Sequence, residues 1–258
     1  MKYKGYLIDL DGTIYLGTEP IPAGKRFVEK LQADKIPFLF VTNNTTRSPQ
    51  TVADRLKNEF DIHVDADTIY TASLATIDFM KADNKGNKVF VIGESGLIDL
   101  ILEAGFQWDK TNPDYVVVGL DNQVTYEKFV LATLAIQKGA TFIGTNSDKN
   151  IPTERGLLPG AGSLIRLVET STQTKPIYIG KPEAIIMEKA VERIGLSKDS
   201  VIMVGDNYET DIRSGLNNGI DTFLVLSGFT PKEAVPDLPE APTYVLDSLD
   251  EWDFYDEK

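Results

Sequence analysis

Two carboxylates stand one residue apart near the start of the chain, directly after a short apolar run. Asp9 and Asp11 follow residues 6–8, which are Tyr-Leu-Ile, and Gly12 comes next. A strand that ends in this way places both acids at its tip, with a turn at the glycine. One carboxylate can then attack an electrophile while its neighbour moves a proton, and together they can hold a divalent cation. Taken alone, an Asp-Gly pair after a strand also marks an ordinary turn.

Polar residues also follow three later apolar runs. They are Thr42 and Asn43 after residues 38–41, Lys181 after 177–179, and Asp206, with Asp211 close behind, after 201–204. In open parallel sheets, ligands bind beyond the carboxyl ends of the strands, so these residues are expected to converge. Carboxylates suit Mg²⁺, a hard cation, while lysine and threonine suit phosphoryl oxygens. Each segment alone could be a loop, a surface lysine or a helix cap, but the joint pattern favours a site.

Short apolar runs that alternate with helical patterns would position these residues. The predicted strands are residues 6–10, 38–42, 88–92, 115–119, 141–144, 177–179, 201–204 and 222–226. Their lack of polar alternation is typical of strands that are covered on both faces in a parallel sheet. One helix is predicted to have Ser48 as its N-cap and Pro49 as its first residue. A second helix is predicted to open at the pair Pro182-Glu183. The pattern predicts an α/β fold with a doubly wound, mainly parallel, Rossmann-like core sheet.

A self-contained α/β block interrupts this core. Residues 82–175 have strands and helices of their own, and polar stretches flank them at residues 83–87 and 170–175. We therefore expect a smaller domain inserted into a core that comprises residues 1–81 and 176–258.

Composition limits the chemistry and the partners. Asp and Glu outnumber Lys and Arg by 39 to 26 among the 258 residues, which gives a net charge of -13. This acidity disfavours nucleic acid and anionic membrane surfaces. The absence of Cys and the single histidine, His63, exclude disulfides, a cysteine nucleophile and mechanisms that need two histidines. No apolar run has the length of a membrane-spanning helix, and the expected compartment is the cytoplasm.

The ordered set of motifs resembles the haloacid dehalogenase (HAD) superfamily and, within it, the NagD-like phosphatases of subfamily IIA. The matching segments are residues 9–13 (Asp-Leu-Asp-Gly-Thr), 41–45 (Val-Thr-Asn-Asn-Thr), 180–182 (Gly-Lys-Pro) and 205–211 (Gly-Asp-Asn-Tyr-Glu-Thr-Asp). The resemblance extends along most of the chain, and the core motifs show no departure that threatens the chemistry. It implies a Mg²⁺-dependent hydrolase of small phosphate monoesters that works through an aspartyl-phosphate.

The resemblance also implies roles for individual residues. Asp9 would be the nucleophile and Asp11 the general acid/base. The metal would be held by Asp9, the main-chain carbonyl of Asp11 and Asp206, with Asp211 as a ligand or as support for the ion's waters. The phosphoryl group would be bound by Thr42, Asn43 and Lys181.

A further implication concerns the inserted block. In the family, a cap domain between the second and third motifs covers the site and selects the substrate, and residues 82–175 resemble that cap. Three of its polar residues are expected to face the substrate: Asn146, Asp148 and Lys149. The expected partner is a small phosphorylated metabolite, and the existence of a homodimer stays open.

Two other functions are left open by the sequence. A phosphoryl transferase or mutase would use the same aspartyl-phosphate but pass the group to a sugar hydroxyl instead of water. A non-catalytic binding protein would be expected to have lost the nucleophile, the lysine or a metal acid, and all of these are present. A dehalogenase is disfavoured because its chemistry needs neither a metal nor an acid at the position of Asp11.

Overall fold

The computed structural model describes residues 2–153 and 155–255 of the chain. These residues divide into two compact units. The first contains the residues up to 42, 49–70 and those from 181 onwards, and the second contains 43–48 and 71–180. The predicted insert, residues 82–175, falls inside the second unit, whose bounds are wider. The outermost residues of the predicted core, 1 and 256–258, lie outside the described residues. The identification of the insert as a cap domain stays a prediction.

The described residues form fifteen strands and eight α-helices. The strands are β1 Gly5–Ile8, β2 Tyr15–Leu16, β3 Glu19–Pro20, β4 Phe38–Thr42, β5 Ile69–Thr71, β6 Lys88–Ile92, β7 Gln107–Trp108, β8 Tyr115–Val118, β9 Thr141–Gly144, β10 Asn150–Thr153, β11 Gly156–Pro159, β12 Ile177–Tyr178, β13 Val201–Gly205, β14 Asp221–Val225 and β15 Tyr244–Leu246. The helices are α1 Pro22–Ala33, α2 Pro49–Phe60, α3 Ala72–Asp83, α4 Ser95–Glu103, α5 Tyr126–Gln137, α6 Ala161–Thr172, α7 Ala184–Ile194 and α8 Arg213–Leu216. A π-helical turn, Tyr208–Ile212, precedes α8.

A six-stranded sheet lies at the centre of the first unit, in the order β15-β14-β13-β1-β4-β5. Strand β1 pairs in parallel with β13 and β4, β13 pairs in parallel with β14, and β14 with β15. All residues of β1 and β13 are buried, which explains why their sequences are apolar without alternation. Because β1 lies between β4 and β13, the direction of winding changes there. In sheets of this kind, ligands bind at the carboxyl ends of the strands at that switch point.

Helices α2 and α7 test the predicted helix starts. Helix α2 begins at Pro49, as predicted, and its buried face includes Val52, Leu56 and Phe60, which are spaced four apart. Helix α7 begins at Ala184, two residues later than predicted, because Pro182 lies in the preceding turn and Glu183 is the N-cap residue. Both helices present one apolar stripe, so burial of that stripe, more than intrinsic propensity, stabilises them.

The second unit has its own sheet, in the order β12-β9-β8-β6-β7, and all of its recorded pairs are parallel. A separate apolar core, which includes Phe90, Val116 and Ile165, packs around this sheet. The predicted α/β fold with mainly parallel sheets is therefore confirmed. Within the described part of the chain, no helix combines the length and the apolar character that crossing a membrane would require.

Candidate active site

Asp9 is the first residue after the central strand β1. Its main-chain N–H donates to the carbonyl of Val204 at 2.8 Å, which continues the pairing of β1 with β13 by one residue. Its side chain is 13% exposed. Since Asp206 stands two residues after Val204, the register of these two parallel strands brings both acids to the same edge of the sheet.

Lys181 provides the buried positive charge of this edge. Its side chain is 2% exposed, and Nζ donates to Asp9 Oδ1 at 2.6 Å, to Asp211 Oδ1 at 2.7 Å and to the carbonyl of Val41 at 2.7 Å. Three acceptors match the three hydrogens of an ammonium group. Burial alone would lower the pKa of Lys181, but the carboxylates of Asp211 and Asp9 outweigh burial and raise that pKa. The lysine is therefore charged and fixed in one position.

Asp206 follows β13, and its side chain is buried. Oδ2 accepts from the main-chain N–H of Phe229 at 2.6 Å, and Oδ1 accepts from the hydroxyl of Thr13 at 3.1 Å. Burial, followed by the negative charge of Asp211, raises the pKa of Asp206 to about 6, although both hydrogen bonds act in the opposite direction. The acid therefore lies where additional positive charge would stabilise its ionised form.

Two glycines leave room for the Asp206 carboxylate. A Cβ atom at Gly12, where φ is +97°, or at Gly228 would overlap with that carboxylate. Ser227 links the two segments, because its hydroxyl donates to the carbonyl of Gly12 at 2.7 Å. The sequence prediction missed this loop, although the Ser-Gly pair after the predicted strand 222–226 was a signal that could have pointed to it.

Asp211 lies on the π-helical turn and is buried. Besides accepting from Lys181, it accepts from the main-chain N–H of Asn207 at 3.1 Å through Oδ2. A Cβ atom at Gly205 would overlap with its side chain. The glycine at the end of β13 therefore allows the turn to fold back and bring Asp211 to the lysine.

The carboxylates of Asp9, Asp206 and Asp211 form one group, in which each offers an oxygen within 4.8 Å of the others. Burial, and then the charge of Asp211, raises the pKa of Asp9 well above its usual range, while Lys181 opposes the shift. Three carboxylates and one ammonium leave an excess of two negative charges, which a divalent cation would cancel. An all-oxygen donor set suits a hard cation such as Mg²⁺, so the residues present fit such an ion.

Two other predicted residues of the first unit, Asp11 and Thr42, are not members of this carboxylate group. Asp11 is exposed, and its Oδ1 accepts from the main-chain N–H of Gly17 at 3.0 Å. Its carboxyl group is thus held by the β2–β3 hairpin, whereas its main chain belongs to the segment that runs from Asp9 to Gly12. Thr42 is 9% exposed and ends β4, directly after the Val41 carbonyl that accepts from Lys181.

In the second unit, three predicted residues contact one another. The Nδ2 atom of Asn43 lies 3.3 and 3.4 Å from the two carboxylate oxygens of Asp148. Asn146 donates from Nδ2 to the carbonyl of Asn43 at 3.0 Å and accepts from the N–H of Asp148 at 3.1 Å. Lys149 is exposed, and its main-chain carbonyl accepts from the N–H of Gly160 at 2.8 Å. The two asparagines therefore orient Asp148. Lys149, in contrast, makes these contacts through its main chain.

Comparisons with known proteins identify the family of the chain. Two family models match the chain: haloacid dehalogenase-like hydrolase over residues 6–107 and HAD-hydrolase-like over residues 178–252. The 5'-nucleotidase YutF of Bacillus subtilis is 50% identical over 250 residues, which cover 97% of each chain. The acid sugar phosphatase of Staphylococcus aureus (strain USA300) is 48% identical over 253 residues, covering 97% of this chain and 96% of the relative. A crystal structure of a double mutant of thermostable NPPase from Geobacillus stearothermophilus superposes with a TM-score of 0.92 and 47% identity, covering 98% of this chain and 99% of that one.

A parallel sheet with a buried lysine among acids at its switch point, together with these matches, defines a phosphatase. The chain belongs to the haloacid dehalogenase-like hydrolase family, and its relatives fit the NagD-like phosphatases that the motifs predicted.

Proposed function

We propose that the chain is a Mg²⁺-dependent hydrolase of small phosphate monoesters that works through an aspartyl-phosphate on Asp9. The observation that carries this proposal is the buried Lys181, which bridges Asp9 and Asp211 at the carboxyl end of the central strand. The lysine holds one oxygen of the nucleophilic carboxylate in place. It also supplies positive charge where an anionic phosphoryl group has to arrive.

Two different sets of residues would hold the metal and the phosphoryl group. The metal ligands would be Asp9, the main-chain carbonyl of Asp11 and Asp206, with Asp211 as a ligand or as support for the ion's waters. When bound, the ion would supply the positive charge that lets a carboxylate approach a phosphate dianion. The phosphoryl oxygens would be bound by Thr42, Asn43 and Lys181.

Two proton transfers by Asp11 complete the proposed reaction. The Asp9 carboxylate attacks phosphorus and the bond from phosphorus to the leaving oxygen breaks, while the Asp11 carboxyl group gives its proton to that oxygen. Asp11, now a carboxylate, takes a proton from water, whose oxygen attacks phosphorus and releases Asp9 and inorganic phosphate. The N–H of Gly17 supports this role because it orients the Asp11 carboxyl group.

Compact phosphate monoesters are the proposed substrates. The names of the relatives refer to a nucleotidase, a sugar phosphatase and NPPase, an abbreviation that other similar structures spell out as p-nitrophenylphosphatase. We propose that residues 82–175 act as a cap that selects among such molecules, with Asn146, Asp148 and Lys149 as the residues that contact substrate. The cytoplasm is the proposed compartment.

Phosphate release tests the proposed activity. With Mg²⁺, the protein is expected to release inorganic phosphate from p-nitrophenyl phosphate without any added acceptor. Excess chelator is expected to stop the reaction, and added Mg²⁺ to restore it. A phosphoryl transferase would need an added hydroxyl acceptor, and a binding protein would show no turnover. Full activity in excess chelator would contradict the assigned metal dependence.

Asp206→Asn tests the metal ligands by stability instead of activity. An asparagine can keep both hydrogen bonds of Asp206, because its carbonyl can accept from Phe229 and its amide can donate to Thr13. The variant removes a buried charge, so in chelator we expect unfolding to cost on the order of 2 kcal/mol more than in the wild type. Mg²⁺ should raise the unfolding temperature of the wild type, and this rise should be absent in the variant.

The matched control is Asp54→Asn on the exposed face of α2, which is expected to keep the Mg²⁺-dependent rise. An Asp206→Asn variant that Mg²⁺ stabilises as much as it stabilises the wild type would contradict the ligand assignment.

A further inference from the structure

A short hairpin follows the first acidic motif and holds the Asp11 side chain. Strands β2 and β3 pair in an antiparallel ladder, and Gly17, the first residue of the turn between them, has a φ of +59°. The N–H of Gly17 donates to Asp11 Oδ1 at 3.0 Å. At the other end of the hairpin, the N–H of Gly12 donates to the carbonyl of Tyr15 at 2.6 Å. The orientation of the Asp11 carboxyl group therefore depends on the position of this hairpin.

The hairpin has little stability of its own. Each strand has two residues, and β3 is fully exposed. Isolated two-stranded hairpins are marginal in water, even when they are longer. Gly17 has no side chain that could restrain the rotation of its peptide units. Contacts from another element must therefore hold the turn in place.

Arg55 of α2 supplies these contacts. Its Nη2 donates to the carbonyl of Gly17 at 2.5 Å. Its guanidinium carbon lies 4.6 Å from the ring centre of Tyr15 and 5.3 Å from that of Phe60. These two rings are themselves stacked at 4.6 Å, with an angle of 2° between their planes. The arginine side chain is only 16% exposed, so its attraction to the rings is partly shielded from water and correspondingly stronger.

We propose that Arg55 is a positioning residue for Asp11, an inference that rests on the proposed role of Asp11 as general acid/base. Gly17 connects the two side chains, since its carbonyl accepts from Arg55 and its N–H donates to Asp11. Arg55 fixes the turn, the turn fixes the N–H, and the N–H orients the carboxyl group that protonates the leaving oxygen. Arg55 itself touches none of the reacting atoms in this proposal.

The choice of leaving group distinguishes this role from a general structural one. A benzyl alkoxide is a poor leaving group and needs a proton as the P–O bond breaks, whereas p-nitrophenolate is a stable anion that needs little help. The value of kcat/KM reports the reaction up to that cleavage. A misplaced Asp11 should therefore lower kcat/KM for benzyl phosphate much more than for p-nitrophenyl phosphate. A smaller folded fraction lowers both values by the same factor and leaves their ratio unchanged.

Arg55→Ala is the central variant. It is expected to lower kcat/KM for benzyl phosphate roughly 10-fold more than for p-nitrophenyl phosphate, a part of the 10²–10⁴-fold that a general acid typically contributes. Arg55→Lys should lie between wild type and Arg55→Ala, because an ammonium keeps the charge but lacks the planar fork. Glu59→Gln is the matched control, since it removes the ion pair that Arg55 makes at 2.8 Å within α2 and leaves the rings and Gly17 in contact. The ratio of its kcat/KM values for the two substrates is expected to equal that of the wild type.

Asp11→Asn separates failure of this inference from failure of the proposed mechanism. This variant should lose kcat/KM for benzyl phosphate relative to p-nitrophenyl phosphate by a larger factor than Arg55→Ala does. Adding Arg55→Ala to Asp11→Asn should not increase that factor, because both changes act on one proton transfer. If Asp11→Asn affects both substrates equally, the general acid assignment and the positioning role fall together. If Asp11→Asn is selective but Arg55→Ala changes both substrates equally or neither, the acid assignment stands and the role of Arg55 is overturned.

Discussion

Asp9→Asn is expected to reduce phosphate release from p-nitrophenyl phosphate by on the order of 10⁴-fold or more. An amide has almost the shape of a carboxylate but lacks the nucleophilic oxygen that would bond to phosphorus. The amide carbonyl can still accept from Lys181, as Asp9 Oδ1 does at 2.6 Å, so the surrounding contacts are expected to survive. Turnover is measured with Mg²⁺ at saturating substrate. Normal turnover would contradict the assignment of the nucleophile.

Two controls separate lost chemistry from a lost fold. Burial raises the pKa of the Asp9 carboxyl group, so its ionised form is unfavourable in the folded protein, and the asparagine variant is expected to unfold no earlier than the wild type in chelator. The second control is covalent. Acid quench during turnover followed by mass spectrometry should find a phosphoryl group on the peptide that contains Asp9, and should find none in the variant. A phosphoryl group on any other residue would show that Asp9 is not the nucleophile.

The sheet strands that position this chemistry could be predicted because they are buried on both faces. Each of the eight predicted runs overlaps a strand of the structure, and three of them, which correspond to β4, β6 and β9, have the predicted bounds. The missed strands are short or exposed. Strand β3 is Glu-Pro with both residues exposed, and β7 has two exposed residues, so neither leaves an apolar run in the sequence. Their places are set by contacts with distant residues, which a local pattern does not record.

Two acids of the site could be predicted for a related reason, whereas the strand that was expected to carry Lys181 to the same edge, β12, pairs with β9 in the sheet of the second unit. Parallel strands align their carboxyl ends, so Asp9 and Asp206 had to meet once β1 and β13 were neighbours. Main-chain groups leave no such signal, and the N–H of Phe229 that binds Asp206 could not be found from residue types. Arg55 was missed because, in sequence, an arginine four residues before Glu59 on a helix resembles an ordinary surface ion pair.

The boundary between the two units could not be predicted from local sequence patterns. Asn43 belongs with the second motif in sequence, yet it lies in the second unit, where its side chain contacts Asp148. The composition of residues 43–48 resembles any polar loop, so nothing in the sequence separates them from Thr42. Their assignment depends on contacts with residues more than 100 positions away, such as the 3.0 Å hydrogen bond from Asn146 to the carbonyl of Asn43.

Lys181→Met is expected to lower both activity and stability. Methionine fills most of the space of the lysine stem but leaves the buried carboxylates of Asp9 and Asp211 without their cation. Removing one partner of a buried ion pair typically costs about 3–5 kcal/mol, because the remaining charge stays uncompensated. Turnover should fall by roughly 10³-fold, since the variant also loses the proposed donor to the phosphoryl oxygens. Thermal unfolding in chelator and phosphate release with Mg²⁺ measure the two effects.

The cause of the lost stability can be tested by balancing the charge. The double variant Lys181→Met with Asp211→Asn removes one positive and one negative charge, so it restores the excess of two negative charges that the wild type has. It is expected to unfold at a higher temperature than Lys181→Met alone while remaining inactive. Lys198→Met, which changes a half-exposed lysine 3.9 Å from Glu188, should match the wild type in both measurements. If the double variant were less stable than Lys181→Met, the lysine would stabilise the fold through packing and not through its charge. Its presence between two acids would then give no support to a phosphate-binding role.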